Sequence, residues 1–203
     1  LVQGFQLGQA AAKSLQKGDF VQAQIYFRKA THFDPWTSSF HIDLGQVLEK
    51  LAQLEKEEQQ QAELLSRAKI EMEKGVRLDS FNANIQAIYG AFLLRTGETP
   101  KGLQALQKST ELNPYEINRY ETLAQAYWML ALREFENEKV KSGRELLSKM
   151  VALKDQVQKQ MDSEPIELPD PQRITISPEF SLHIGRAEFL LGQNSEAIKD
   201  LQV

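Results

Sequence analysis

Apolar and polar residues follow one another along this chain with a helical period, not a two-residue one. Leu7, Ala10, Ala11 and Leu15 fall at spacings of three and four, and Ala23, Phe27 and Ala30 repeat that spacing one segment later. Gly18-Asp19-Phe20 separates the two stretches and Phe33-Asp34-Pro35 closes the second, so residues 1–35 read helix, turn, helix, turn. Two more closing signatures follow. Leu112-Asn113-Pro114 ends another periodic stretch, and Leu78-Asp79-Ser80 is the same signal without proline. Ser80 and Pro114 are 34 residues apart, while Pro35 and Ser80 are 45 apart, a 34-residue period enlarged by 11. A period of this size predicts stacked helical hairpins, because no single hairpin can bury its own apolar face.

The residues inside each period agree. After the first unit come Leu44-Gly45 and Leu48, then Ala68, Met72 and Gly75. A third unit has Tyr89-Gly90, Leu93 and Gly97, then Leu106 and Ser109. A fourth opens with Tyr120, Leu123-Ala124 and Tyr127, and a fifth carries Ile184-Gly185, Phe189, Gly192 and Ala197. Small residues let helix backbones approach, and Phe27, Tyr89 and Tyr127 are expected to fill the gaps between neighbours. This pattern resembles the tetratricopeptide repeat (TPR) family, although Ser14 stands where that family has a large residue. The resemblance implies an all-α, right-handed helical solenoid of about five helix-turn-helix units.

The units are unequal. The expected organisation is four repeats over residues 1–162, with the second and fourth enlarged, then a Pro-rich extended connector over 163–177, then a truncated final repeat over 178–203. Residues 51–78 read as one long second helix, polar all round between Glu55 and Gln61 and supported by the Glu63/Arg67 and Glu73/Arg77 pairs. Leu130, Phe135, Leu146, Leu147, Met150, Val151, Leu153 and Val157 suggest a long helix ending near Met161. Pro165, Pro169 and Pro171 then forbid helix. Two placements of the connector are open: a surface linker, or a strip that packs Ile166, Leu168, Ile174 and Ile176 along the helices and fills the groove in cis. Ser177 reads as an N-cap with Pro178 at the first helical position, and Thr99-Pro100 as a similar start.

Composition narrows the function. The chain has 203 residues with 24 Lys+Arg against 28 Asp+Glu, a net charge of -4, and its basic residues lie scattered among acids, so no nucleic-acid partner is expected. It has no cysteine and only three histidines, His32, His41 and His183. His41-x-Asp43 has the wrong spacing for two metal ligands on one helix face, and no phosphate-cradling glycine loop or Gly-x-Ser-x-Gly elbow occurs. A non-catalytic interaction module without cofactor or metal is the reading. No apolar window is long enough to span a membrane. The chain starts at Leu1 and ends within a helical pattern, which reads as a fragment of a longer protein.

In the family resembled, the first helices of the hairpins line a concave groove that takes extended peptides or partner helices. By helical phase, the groove positions here are Phe5, Gln9, Ile42, Asp43, Gln46, Asn84, Ile88, Arg95, Glu121, Gln125, Trp128, His183 and Arg186. The chaperone-tail binders of the family carry a Lys/Asn/Arg two-carboxylate clamp. The matching places here hold Gly8, Ala12, Ile42, Gln46, Ala87 and Ala91, so the clamp is missing. Trp128 and Trp36 are the anchor candidates by residue type. Trp128 is read either as inter-repeat core or as the centre of a peptide- or sugar-contacting patch with Glu121, Gln125 and Arg95; Trp36 is read as a cap over the next helix.

The order of features also resembles the C-terminal repeat domain of bacterial O-antigen ligase/polymerase-like membrane proteins. The features are Asp34-Pro35, the long charged second unit, the run Asn113 to Glu121, the enlarged fourth helix, the Pro-rich connector and Ile184-Gly185-Arg186-Ala187. That resemblance implies an accessory domain on the extracytoplasmic face of a bacterial membrane, touching a glycan or lipid-linked substrate. Without it, a cytoplasmic protein-binding module is expected. Self-association through exposed repeat ends is a third possibility.

Overall fold

The computed structural model of the chain describes residues 2–163 and 174–202. Among these residues there are ten helices and no strand. The helices are α1 (Val2–Gln16), α2 (Phe20–Phe33), α3 (Ser38–Leu54), α4 (Glu58–Leu78), α5 (Ala83–Arg95), α6 (Thr99–Leu112), α7 (Ile117–Glu136), α8 (Val140–Asp162), α9 (Pro178–Leu191) and α10 (Asn194–Leu201). They fall into two compact units, Leu1–Glu98 and Thr99–Val203.

The helix ends obey local chemistry. Asp19 accepts from the Gln22 amide at 2.9 Å, Asn82 from the amides of Asn84 and Ile85, and Ser177 from that of Phe180 at 3.0 Å with Pro178 behind it. The α1–α2, α5–α6, α7–α8 and α9–α10 turns share one pattern. In each of these four, paired amides reach back to the helix just ended, as in Gly18 N to Leu15 O and Asp19 N to Ser14 O. Gly18, Gly97 and Gly192 take the left-handed conformation this closure needs, and in the α7–α8 turn Glu138 takes it instead, at φ 60°.

Residues 51–78 are not one helix. α3 continues to Leu54 and α4 begins at Glu58. The Glu55 carboxylate accepts from the backbone amides of Lys56 (2.8 Å) and Glu57 (3.1 Å), and the Gln61 side-chain Nε2 donates to the Ala52 carbonyl (3.1 Å). Side chains that satisfy backbone groups locally compete with helix continuation. The extra residues therefore lengthen both members of the hairpin, to 17 and 21 residues against 15 and 14 for α1 and α2. In the fourth repeat the apolar set is likewise divided, with Leu130 and Phe135 on α7 and the rest on α8. Ile166 and Leu168 lie outside the described residues; Ile174 is buried and Ile176 half-buried.

In Leu1–Glu98, α1 packs on α2, α2 on α3 and α3 on α4, with α5 against α3 and α4. Phe27, Leu44, Leu48, Met72, Phe92 and Leu93 form the core around Ala11, Ala23 and Ala68. Gly45 sits so close to α4 that a Cβ there would lie 2.5 Å from Met72 Cγ and 3.0 Å from the Ala68 carbonyl. Tyr89 was expected in this core; it is half-buried at its edge, with its hydroxyl donating to Glu73 at 3.2 Å. The hydroxyl gives the ring a reason to face out. Ser14 is buried and bonds back to the Ala10 carbonyl. In Thr99–Val203 the buried set includes Leu106, Leu123, Tyr127, Leu147, Met150, Leu153, Phe180 and Ile184, and Gln107 donates to the Tyr127 hydroxyl at 2.8 Å.

Candidate functional site

The first helices of Leu1–Glu98 bring three of the expected groove residues together. Asp43 and Gln46, one turn apart on α3, line a cavity of about 500 Å³ with Arg95 from the end of α5; Glu49, Lys50 and Gln53 complete its polar wall. Arg95 donates from Nε and Nη2 to the two carboxylate oxygens of Glu49, at 2.6 and 2.9 Å. This bidentate pair fixes the guanidinium plane across two helices, while the Arg95 side chain keeps 52% of its surface in solvent. Burial pushes the Asp43 carboxyl up to about 6. The wall thus carries both acceptors (Asp43, Gln46) and donors (Arg95, Lys50), the set needed to meet the N–H and C=O groups of an extended chain.

The other expected positions are spread more widely. Phe5 and Gln9 are exposed one turn apart on α1, and Asn84 is exposed at the start of α5; none lines the cavity. Ile42, also assigned to the groove, is core: its side chain lies where a Cβ on Gly75 would be, 2.7 Å away. Ile88 packs half-buried against the same core. Glu49 was missed by sequence reasoning, although it stands one turn beyond Gln46 on the same helix face.

In Thr99–Val203, Glu121, His183 and Arg186 form an electrostatic cluster. The Glu121 carboxylate accepts from the Ser177 hydroxyl, which also caps α9. Burial, then the Arg186 charge, holds His183 below its ordinary value against the opposing pull of Glu121. His183 Nδ1 is buried with no hydrogen-bond partner among the described residues. Gln125 is exposed and Trp128 half-buried, so Trp128 is neither free anchor nor sealed core. Arg95 pairs with Glu49 within Leu1–Glu98. Trp36 is not a cap: it sits in the α2–α3 turn with 80% of its surface exposed. Among the described residues no group of three His, Asp or Glu side chains is placed to hold a metal.

No protein-family model matches the chain, and no curated protein matches it. Solved structures do. The chain is similar to MamA, with 21% identity over 95% of this chain and 90% of that one and a TM-score of 0.56. It is similar to YrrB, a TPR protein with an unusual peptide-binding site, with 17% identity over 95% and 79% and a TM-score of 0.58. It is also similar to the first TPR of Spaghetti (RPAP3), solved with the HSP90 peptide SRMEEVD, with 15% identity over 64% and 94% and a TM-score of 0.54. At these identities the likeness shows the fold, which is that of TPR proteins.

Proposed function

We propose that the chain is a non-catalytic protein-interaction module that holds an extended peptide against the first helices of its hairpins. The observation that carries this reading is the Asp43–Gln46–Arg95 cavity, where donors and acceptors stand on rigid helices and Arg95 is oriented in advance by Glu49. Preorganised polar groups cost little entropy on binding. The fold it shares with YrrB and with the RPAP3 repeat supports a peptide as ligand. Phe5, Gln9 and Asn84 would flank that peptide, and Glu121, Gln125, Trp128, His183 and Arg186 would make a second contact region. With Gly8, Ala12, Ala87 and Ala91 at the clamp places, this face is not proposed to take an acidic C-terminal tail.

Selection from a displayed peptide library on the full chain tests the proposal. Peptides enriched on the natural chain should lose about tenfold or more in affinity on Asp43→Ala/Gln46→Arg. No enrichment, or equal affinity for the variant, contradicts it.

The narrower reading, an accessory domain of a membrane glycan ligase or polymerase with a glycan or lipid-linked ligand, is carried by the order of sequence features alone. No helix of the described residues is long and apolar enough to cross a membrane, so the spans of such a protein would be encoded outside this sequence. Sequencing the gene upstream of Leu1 decides it: a run of apolar spans there supports the reading and a polar upstream region removes it.

A further inference from the structure

Leu1–Glu98 has a second cavity, of about 710 Å³, that shares no residue with the first. It lies between the C-terminal halves of α2 and α4. Arg28, Lys29 and His32 line it from one side and Lys74 and Arg77 from the other, with Glu71 as the one carboxylate among its lining residues. Glu71 is already occupied. Its Oε2 lies 2.7 Å from His41 Nδ1 and its Oε1 accepts from Lys74 at 2.8 Å. The far nitrogen of His41 is 3.0 Å from the Pro35 carbonyl, which ties the α2–α3 turn to α4. Arg28, Lys29 and Arg77 make no ion pair among the described residues.

Cations near helix C-termini have an ordinary role, since they complement the helix dipole. That effect fades beyond the last turn. It accounts for His32 and Arg77, which stand in the last turns of α2 and α4, but not for Arg28 and Lys29. The repeat supplies another clue. Lys29 and Lys74, and likewise His32 and Arg77, are separated by the same 45 residues as Pro35 and Ser80. They are equivalent positions of successive hairpins, so the stack lines up their charges on one face of an otherwise acidic chain. The turns beside the cavity add aromatic surface. Trp36 follows Pro35 directly with 80% exposure, and Phe81, three residues beyond Leu78, is 81% exposed.

We propose that this face binds an acidic peptide segment that carries a large apolar side chain. Its carboxylates enter between the cations of α2 and α4, with the Arg28 and Arg77 guanidiniums taking them in paired hydrogen bonds, and its apolar side chain covers Trp36 or Phe81. The cavity is far larger than one inorganic anion, and the local excess of positive charge on a chain of net charge -4 gives the face its selectivity.

The test is fluorescence anisotropy of the full chain with a labelled dodecapeptide of Glu and Asp containing one Phe and one Leu. A counterpart with Lys in place of every acid and a single-stranded oligonucleotide of equal charge serve as competitors. The acidic peptide should bind, and binding should weaken steeply between about 50 and about 300 mM salt. Arg28→Glu/Arg77→Glu should weaken it about tenfold or more, and Trp36→Ala several-fold. These side chains are exposed, and circular dichroism verifies that the variants keep their helix; Arg28→Gln/Lys29→Gln is the milder substitute, with a smaller loss expected. Asp43→Ala/Gln46→Arg should leave this binding unchanged, which separates the site from the groove. Equal binding of the Lys peptide, full affinity in the charge-altered variants, or tighter binding of the oligonucleotide would each overturn the proposal.

Discussion

His41, in Leu1–Glu98, and His183, in Thr99–Val203, sit on corresponding kinds of helix in contrasting settings. His41 is buried with an oxygen at each ring nitrogen, while His183 has a buried Nδ1 with no partner among the described residues. The buried carboxylates differ in the same way. Glu49 holds Arg95 with both oxygens. Glu188, 2% exposed, has Lys154 only at 3.7 Å, because Lys154 is drawn to Asp200 at 2.7 Å, and its Oε2 has no partner among the described residues. Both units follow one helical-hairpin plan, so the plan does not dictate how buried charge is compensated. Cross-helix partners do, and where they fall short, stability becomes a function of pH.

The largest expected effect lies in the apolar core. Phe27→Ala should cost about 3–5 kcal/mol in urea denaturation, whereas Tyr89→Ala, at the core edge, should cost less than half as much. Equal losses would mean that the two rings are equally buried, against the described packing.

Next come the close approaches. Gly45→Ala should destabilise by about 1–3 kcal/mol, since the new methyl meets Met72 and the backbone of α4 and outweighs the usual helix gain from alanine. In the other unit, Gly185→Ala meets Leu201 Cγ at 2.8 Å and the Ala197 carbonyl at 3.3 Å; the exposed Leu201 side chain can swing away and the carbonyl lies farther off than at Gly45, so the loss should be smaller than that of Gly45→Ala. A neutral Gly45→Ala in thermal unfolding would show that α3 and α4 are not in contact there.

The pH contrast follows. Burial first, and then the Asp200 charge, raises the Glu188 carboxyl from 4.5 to about 7. A raised acid binds its proton more tightly in the folded chain. Its contribution is therefore complete below its ordinary value and is lost as pH rises through about 7. Asp43, raised to about 6, acts with the same sign. His183, lowered, acts oppositely, and its contribution fades as pH falls through its ordinary value. Glu188→Gln in an Asp43→Asn background should thus remove the fall in stability between pH 4.5 and about 7 and leave the opposite slope of His183. An unchanged pH profile by denaturant titration would show that Glu188 is not the group responsible.

The smallest effect concerns the turns. Glu138 fills the left-handed position that glycine fills in the α1–α2, α5–α6 and α9–α10 turns. Glu138→Gly should stabilise by about 0.5–1 kcal/mol, measured as a raised melting temperature. A loss would mean that the Glu138 side chain makes a compensating contact.

The hairpin plan was legible because its signals are local. The small residues recur at one period, and Asp19, Asn82 and Ser177 each cap the helix that follows. The break at residues 55–57 was not, since a polar stretch looks alike whether it continues a helix or turns. Helical phase put Asp43 and Gln46 on one face of α3, where they line one cavity, but Ile42 shows how one residue of phase separates core from surface. The Glu49–Arg95 pair joins residues 46 apart on different helices, and nothing in either residue's neighbourhood announces the other. Trp36 misled because its place just after a turn suggested a cap over the next helix, whereas its side chain is 80% exposed.

Chemical-shift mapping of the full chain with a peptide selected on it tests the central claim most directly. The amides of Asp43, Gln46, Glu49, Lys50 and Arg95 should show the largest changes, with the Arg95 side-chain signal shifting as its guanidinium gains a second partner. Changes confined to Arg28, Lys29, Lys74 and Arg77, with the first-helix face silent, would contradict it.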